Sequence, residues 1–118
     1  MANNIAFQPM GKTVNVAASG AANTESSIVT VTAISPVNQY LLSNEDLTYT
    51  VYVWISPTSP FNVSIPDTSG NGSYVVPVMP GKQVVITGPQ VSSTANVYAR
   101  VIGDGANATC YVTPGEGL

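Results

Sequence analysis

The chain has 118 residues, 44% of them hydrophobic, which suits one domain with a substantial core. Charged residues make up 8%, against about 25% in average soluble domains, and the net charge is −3. Three scattered cations, Lys12, Lys82 and Arg100, argue against displacing counterions from nucleic acid, and no apolar run approaches the ~18 residues of a membrane span.

In chain order, residues 1–11 come first. Met1-Ala2-Asn3-Asn4 lacks the positive, then apolar, start of a secretory signal, so a cytoplasmic site of synthesis and assembly is expected. Ile5, Phe7, Pro9 and Met10 then form an apolar arm without clean periodicity, either an edge strand of its own fold or a segment that docks on a neighbour. A weak strand pattern covers 12–17, and residues 17–26 form a small-residue loop.

Period-two alternation, the signal of half-buried strands, follows. Residues 27–34 carry Ile28, Val29, Val31 and Ala33 among threonines. Residues 38–42 are a weaker candidate. The clearest run is 49–55, with Tyr49, Val51, Val53 and Ile55 on one face and Thr50, Tyr52 and Trp54 on the other. Weak patterns at 61–65 and 73–79 come next, the second demoted to an edge or bulged strand by Pro77. Residues 82–87, 96–102 and 108–113 alternate again.

Turn clusters punctuate these runs at 44–46, 67–72, 80–81, 88–89 and 103–105. Asn71-Gly72 reads as a hairpin turn. The prediction is an all-β, antiparallel β-sandwich of seven to nine strands, Ig-like or jelly-roll-like, over residues 12–113, with an exposed, extended tail at 114–118.

The chemistry available is narrow. There is no histidine, the commonest general base and metal ligand, so Ser-His-Asp and Cys-His catalysis are excluded. A single cysteine, Cys110, permits no internal disulfide and makes a zinc site untenable; in its strand setting it reads as a small buried hydrophobe. Glu25, Asp46, Asp67 and Asp104 fall in loops and read as solvated turn formers rather than a catalytic pair.

Asp67-Thr68-Ser69-Gly70 approaches the Asp-Thr-Gly of aspartic proteases, but the serine breaks the motif and no second copy exists. Asp104-Gly105-Ala106-Asn107 lacks the alternating acids of a calcium loop, and no Gly-rich phosphate cradle precedes a helix. The sequons at Asn62, Asn71 and Asn107 read as compositional accidents. Tyr52 and Trp54 stand side by side, which suits a sugar-stacking platform or, the favoured reading, packing under the second sheet or a neighbouring subunit. These residues give no catalytic, cofactor or metal site, and the chain reads as a non-enzyme that holds rather than transforms.

A resemblance adds to this reading. The Met-Ala-Asn-Asn start leads to Ile5-Ala6-Phe7-Gln8-Pro9-Met10-Gly11-Lys12, and Val-, Thr- and Ser-rich strands follow. The chain then closes with Ala95-Asn96-Val97-Tyr98-Ala99-Arg100-Val101 and Cys110-Tyr111-Val112-Thr113-Pro114-Gly115-Glu116-Gly117. In style this resembles the small structural proteins of tailed bacteriophages, most of all head decoration (cement) proteins. The resemblance implies a virion protein, assembled in the host cytoplasm and seated in many copies on the capsid surface. Its partners would be the major capsid protein and neighbouring copies of itself, with no nucleic acid or membrane. Ile5, Phe7 and Met10 are the residues expected to contact partners. A tail, adaptor or fibre component and a carbohydrate-binding module are the alternatives, and a small enzyme is the remote one.

Overall fold

A computed structural model describes residues 7–17, 25–65, 74–103 and 109–117. The described residues form nine strands and no helix: β1 (Gln8–Pro9), β2 (Val14–Ala17), β3 (Val29–Val31), β4 (Val37–Asn44), β5 (Val51–Ser56), β6 (Val76–Val78), β7 (Gln83–Val91), β8 (Val97–Gly103) and β9 (Thr109–Glu116). Two antiparallel sheets pack face to face as a β-sandwich. One has the order β2-β9-β4-β7, with β1 also on β9; the other has the order β3-β8-β5-β6.

The pairing explains the order. β5 pairs with β6, β4 with β7, β3 with β8 and β2 with β9, each antiparallel, so the chain is one long ribbon folded back on itself. Rolling that ribbon brings β9 against β4 and β8 against β5. A rolled eight-strand ribbon is the jelly-roll arrangement, so the strand order decides between the two expected topologies.

The core follows from alternation. Val51, Val53 and Ile55 of β5 stand opposite Gly103, Val101 and Ala99 of β8, and Val97 of β8 stands opposite Val31 of β3, all buried. Tyr40 and Leu42 of β4 and Cys110 and Val112 of β9 supply the opposite wall, with Val16 and Val91. β-Branched side chains dominate because each strand presents a pleated, half-buried surface to fill.

Several expectations need correcting. Gly88-Pro89, expected as a turn, lies inside β7. That strand is an edge, where a missing N–H costs no ladder bond if it faces outward. The expected tail is not free from residue 114: β9 runs to Glu116, and Pro114 and Gly115 are buried, because β4 and β1 pair on its two sides. Residues 61–65 form no strand, and β3 is shorter than 27–34. Trp54 and Tyr52 do not lie under the second sheet; register places them on the outer face, opposite Arg100 and Ile102. The hairpin expected at Asn71-Gly72, the Asp67-Thr68-Ser69-Gly70 run and Asp104 lie outside the described residues.

Candidate partner-contact surface

One end of the sandwich holds two of the expected contact residues, Phe7 and Met10. β1 lies on the end of β9, with Gln8 opposite Glu116 and Pro9 opposite Gly115. The Met10 amide donates to the Pro114 carbonyl at 2.9 Å, and the Met10 carbonyl accepts from the Ile34 amide at 2.8 Å. The arm is therefore stitched both to β9 and to the β3–β4 connection.

Two glycines make this possible. A Cβ at Gly115 would lie 2.5 Å from Phe7 Cζ and collide with the Gln8 carbonyl, so the phenyl ring occupies the space a side chain would need. A Cβ at Gly11 would lie 2.8 Å from Pro114 Cγ and collide with the Thr32 carbonyl, so the chain passes tightly between β9 and the β3–β4 connection there.

Phe7 is half-buried, on the outer side of β9. Met10 points the other way and packs against the core cluster. Ile5 lies outside the described residues. The structure thus brings Phe7 and Met10 to one end but on opposite faces of the arm, with Met10 engaged in its own domain.

Sequence reasoning missed a neighbour of theirs. Ile34 was read as the end of a strand, yet it sits on the β3–β4 connection with 76% of its surface exposed. Together with Gly11, Lys12, Thr32 and Ala33 it lines an open cleft of about 410 Å3. Lys12 is exposed and has no acidic partner among the described residues. An apolar tip beside a free cation suits a partner surface that is apolar with an acidic rim. The signal available in sequence was Ile34-Ser35-Pro36, an apolar residue just before a turn-forming pair.

Cys110, Tyr40, Asp46, Glu25 and Arg100 are engaged in structure. Cys110 is fully buried, and burial pushes its thiol up to about 12, which leaves no thiolate at neutral pH. Tyr40 is likewise pushed up to about 12 by burial, and its hydroxyl donates to the Pro89 carbonyl. Asp46 Oδ1 accepts from the Thr48 and Tyr49 amides at 2.7 and 2.9 Å, the local turn role expected of it.

Glu25 differs from its expected role as a solvated turn former. Its carboxylate accepts from the Val63 amide at 2.6 Å and pairs with Arg100 Nε at 3.5 Å. Arg100 also donates to the Ser26 carbonyl at 2.7 Å and the Phe61 carbonyl at 2.6 Å. This knot clips the 57–65 segment to the outer face of β8. Among the described residues, no group of three or more Cys, Asp or Glu is placed to hold a metal ion.

On the same outer face, the Trp54 ring lies 5.8 Å from that of Tyr74, tilted by 34°, and Tyr74 is 81% exposed. No protein-family profile matches the chain, and no curated protein is significantly similar to it.

Proposed function

We propose that this protein is a non-enzymatic virion component, a decoration protein that binds the outside of a phage head and bridges major capsid subunits. The observation that carries the proposal is the exposed Ile34 beside Lys12, at the end of a charge-poor sandwich where the arm docks. The capsid assignment itself rests on the resemblance of the sequence to such proteins. The mechanism is mass action: each bound copy favours the assembled lattice over its open form. Quantitative gel analysis of purified particles tests it. Hundreds of copies per particle are expected; a dozen or fewer would instead mark a tail or adaptor part. Ile34→Asp should abolish binding to heads that lack the protein, and full binding by that variant would overturn the assigned surface.

A carbohydrate-binding reading is favoured by a different observation, the exposed Tyr74 ring against Trp54 on the outer face of β5. Tyr74→Ala tests it better than a change at the half-buried Trp54, because the fold should tolerate it. Glycan binding that is present in the native protein and lost in Tyr74→Ala would establish this reading.

A further inference from the structure

A β-sandwich leaves sheet edges whose free N–H and C=O groups can pair with another strand, and folded proteins guard them with short strands, proline, lysine or breaks. Among the described residues there are four such edges, and three of them are guarded. β3 and β6 are three residues each, and β6 carries Pro77. The β1/β2 edge is interrupted between Pro9 and Val14, at Gly11 and Lys12. The fourth edge, β7, is nine residues long and pairs only with β4 among the described residues. Its first five residues, Gln83-Val84-Val85-Ile86-Thr87, contain no charge, proline or glycine. The register with β4 is regular through them, so no bulge twists this stretch away.

We infer that the Gln83–Thr87 edge of β7 pairs antiparallel with the same edge of a second copy, joining two five-stranded sheets into one across a two-fold axis. The occupant is a second copy because the stretch is self-complementary. A two-fold centred on Val85 sets Gln83 against the second copy's Thr87 and Val84 against its Ile86. Val84 and Ile86 lie on the inner face, opposite Leu42 and Tyr40 of β4, so this register continues the inner face of one sheet into the other. It also sets Lys82 against Gly88, so no like charges meet. An isologous contact of this kind closes at the dimer and uses up the β7 edge of both copies, leaving only the guarded edges. The inference does not depend on the capsid reading: a chain that binds no particle should still pair.

Sedimentation analysis of the native chain over the micromolar to millimolar range should show a species of twice 12.2 kDa. Val85→Lys places like charges opposite each other across the axis and should shift the protein to monomer, with its circular dichroism unchanged. Val85→Glu should do the same. Mixing the two variants should restore the dimer, and salt should weaken it. Gln83→Lys combined with Thr87→Lys, both at exposed positions, sets like charges opposite each other on both sides of the axis and gives the same readout should a change at Val85 impair folding. Amide exchange within 83–87 of the native chain should slow with rising concentration, a measurement that needs no substitution. A native chain that stays monomeric throughout, or a dimer indifferent to both lysine variants, overturns the inference.

Discussion

Replacing Asn44 with alanine should cost more stability than any single substitution at the exposed end. Asn44 is the last residue of β4 and is 2% exposed. Its Nδ2 donates to the Tyr49 carbonyl and to the Val78 carbonyl, each at 2.9 Å, while its Oδ1 accepts from the Asp46 amide at 2.9 Å. One side chain thereby joins β4, the β4–β5 connection and β6 of the opposite sheet.

Truncation removes the buried bond to the Val78 carbonyl, at about 1–3 kcal/mol. The part-buried Tyr49 and Asp46 groups add about 0.5–1.5 kcal/mol each, for a total near 4 kcal/mol. Against a total stability of about 5–15 kcal/mol this is severe, and corresponds to a fall in Tm of roughly 15 °C. Urea unfolding followed by the fluorescence of Trp54, the sole tryptophan, measures it.

Asn44→Asp sharpens the test. It is nearly isosteric but sets a carboxylate against two carbonyl oxygens, which raises its folded pKa above the unfolded value of about 3.9. Its loss at pH 7 should match or exceed that of alanine and should shrink as the pH falls through the raised folded pKa toward about 4, where the acid is protonated and can donate one of the two bonds again. A loss under about 1 kcal/mol for Asn44→Ala would refute the bracing role.

Gly115→Ala should lift the arm off β9 at a cost of about 1–3 kcal/mol, seen as faster amide exchange at Gln8 and Met10. Adding Phe7→Ala should restore part of the loss, since the collision with the Gln8 carbonyl persists. Arg100→Gln should loosen the 57–65 segment and cost about 2 kcal/mol, with faster exchange of the Val63 amide as the readout. Cys110 should resist thiol reagents at pH 8 unless the fold is opened by denaturant. Its pKa rises on folding from 9.0 to about 12, so its contribution is fully present below pH 9 and declines between pH 9 and 12, by at most about 1.4 kcal/mol per unit. A denaturation series showing no such decline would contradict that burial.

The strands were legible because the inner faces repeat every second residue, as Val51, Val53 and Ile55 do. Their ends were not. Pro89 and Pro114 look like strand breakers, yet each sits where its neighbours permit it, one on an edge strand and one at the far end of a ladder. Strand order was illegible for a different reason: the pairing of β2 with β9 joins residues about a hundred positions apart, and no local pattern encodes it. Glu25 was misjudged on the same ground, since its partners Val63 and Arg100 are distant in sequence. Ile34 was hidden by its own neighbourhood, where Val29, Val31 and Ala33 alternate so well that the next apolar residue reads as core.

The docked arm changes how its role must be tested. Deleting residues 2–10 would remove more than a contact surface. It would strip Met10 from the core cluster, leave the Ile34 amide and the Pro114 carbonyl without their partners, and uncover the end of β9. Two broken backbone bonds and a partly buried methionine amount to roughly 3–5 kcal/mol, enough for lost binding to reflect lost folding. Ile34→Asp avoids that ambiguity. Its side chain is largely in water already, so the change should alter stability by no more than about 0.5 kcal/mol. It still places a charge at the centre of the apolar tip, where a partner would have to desolvate it. If this end is the contact, Ile34→Asp should lose binding with its unfolding midpoint unchanged, whereas the deletion should lose both. Binding kept by Ile34→Asp but lost on deletion would assign the deletion's effect to the fold and move the contact elsewhere on the sandwich.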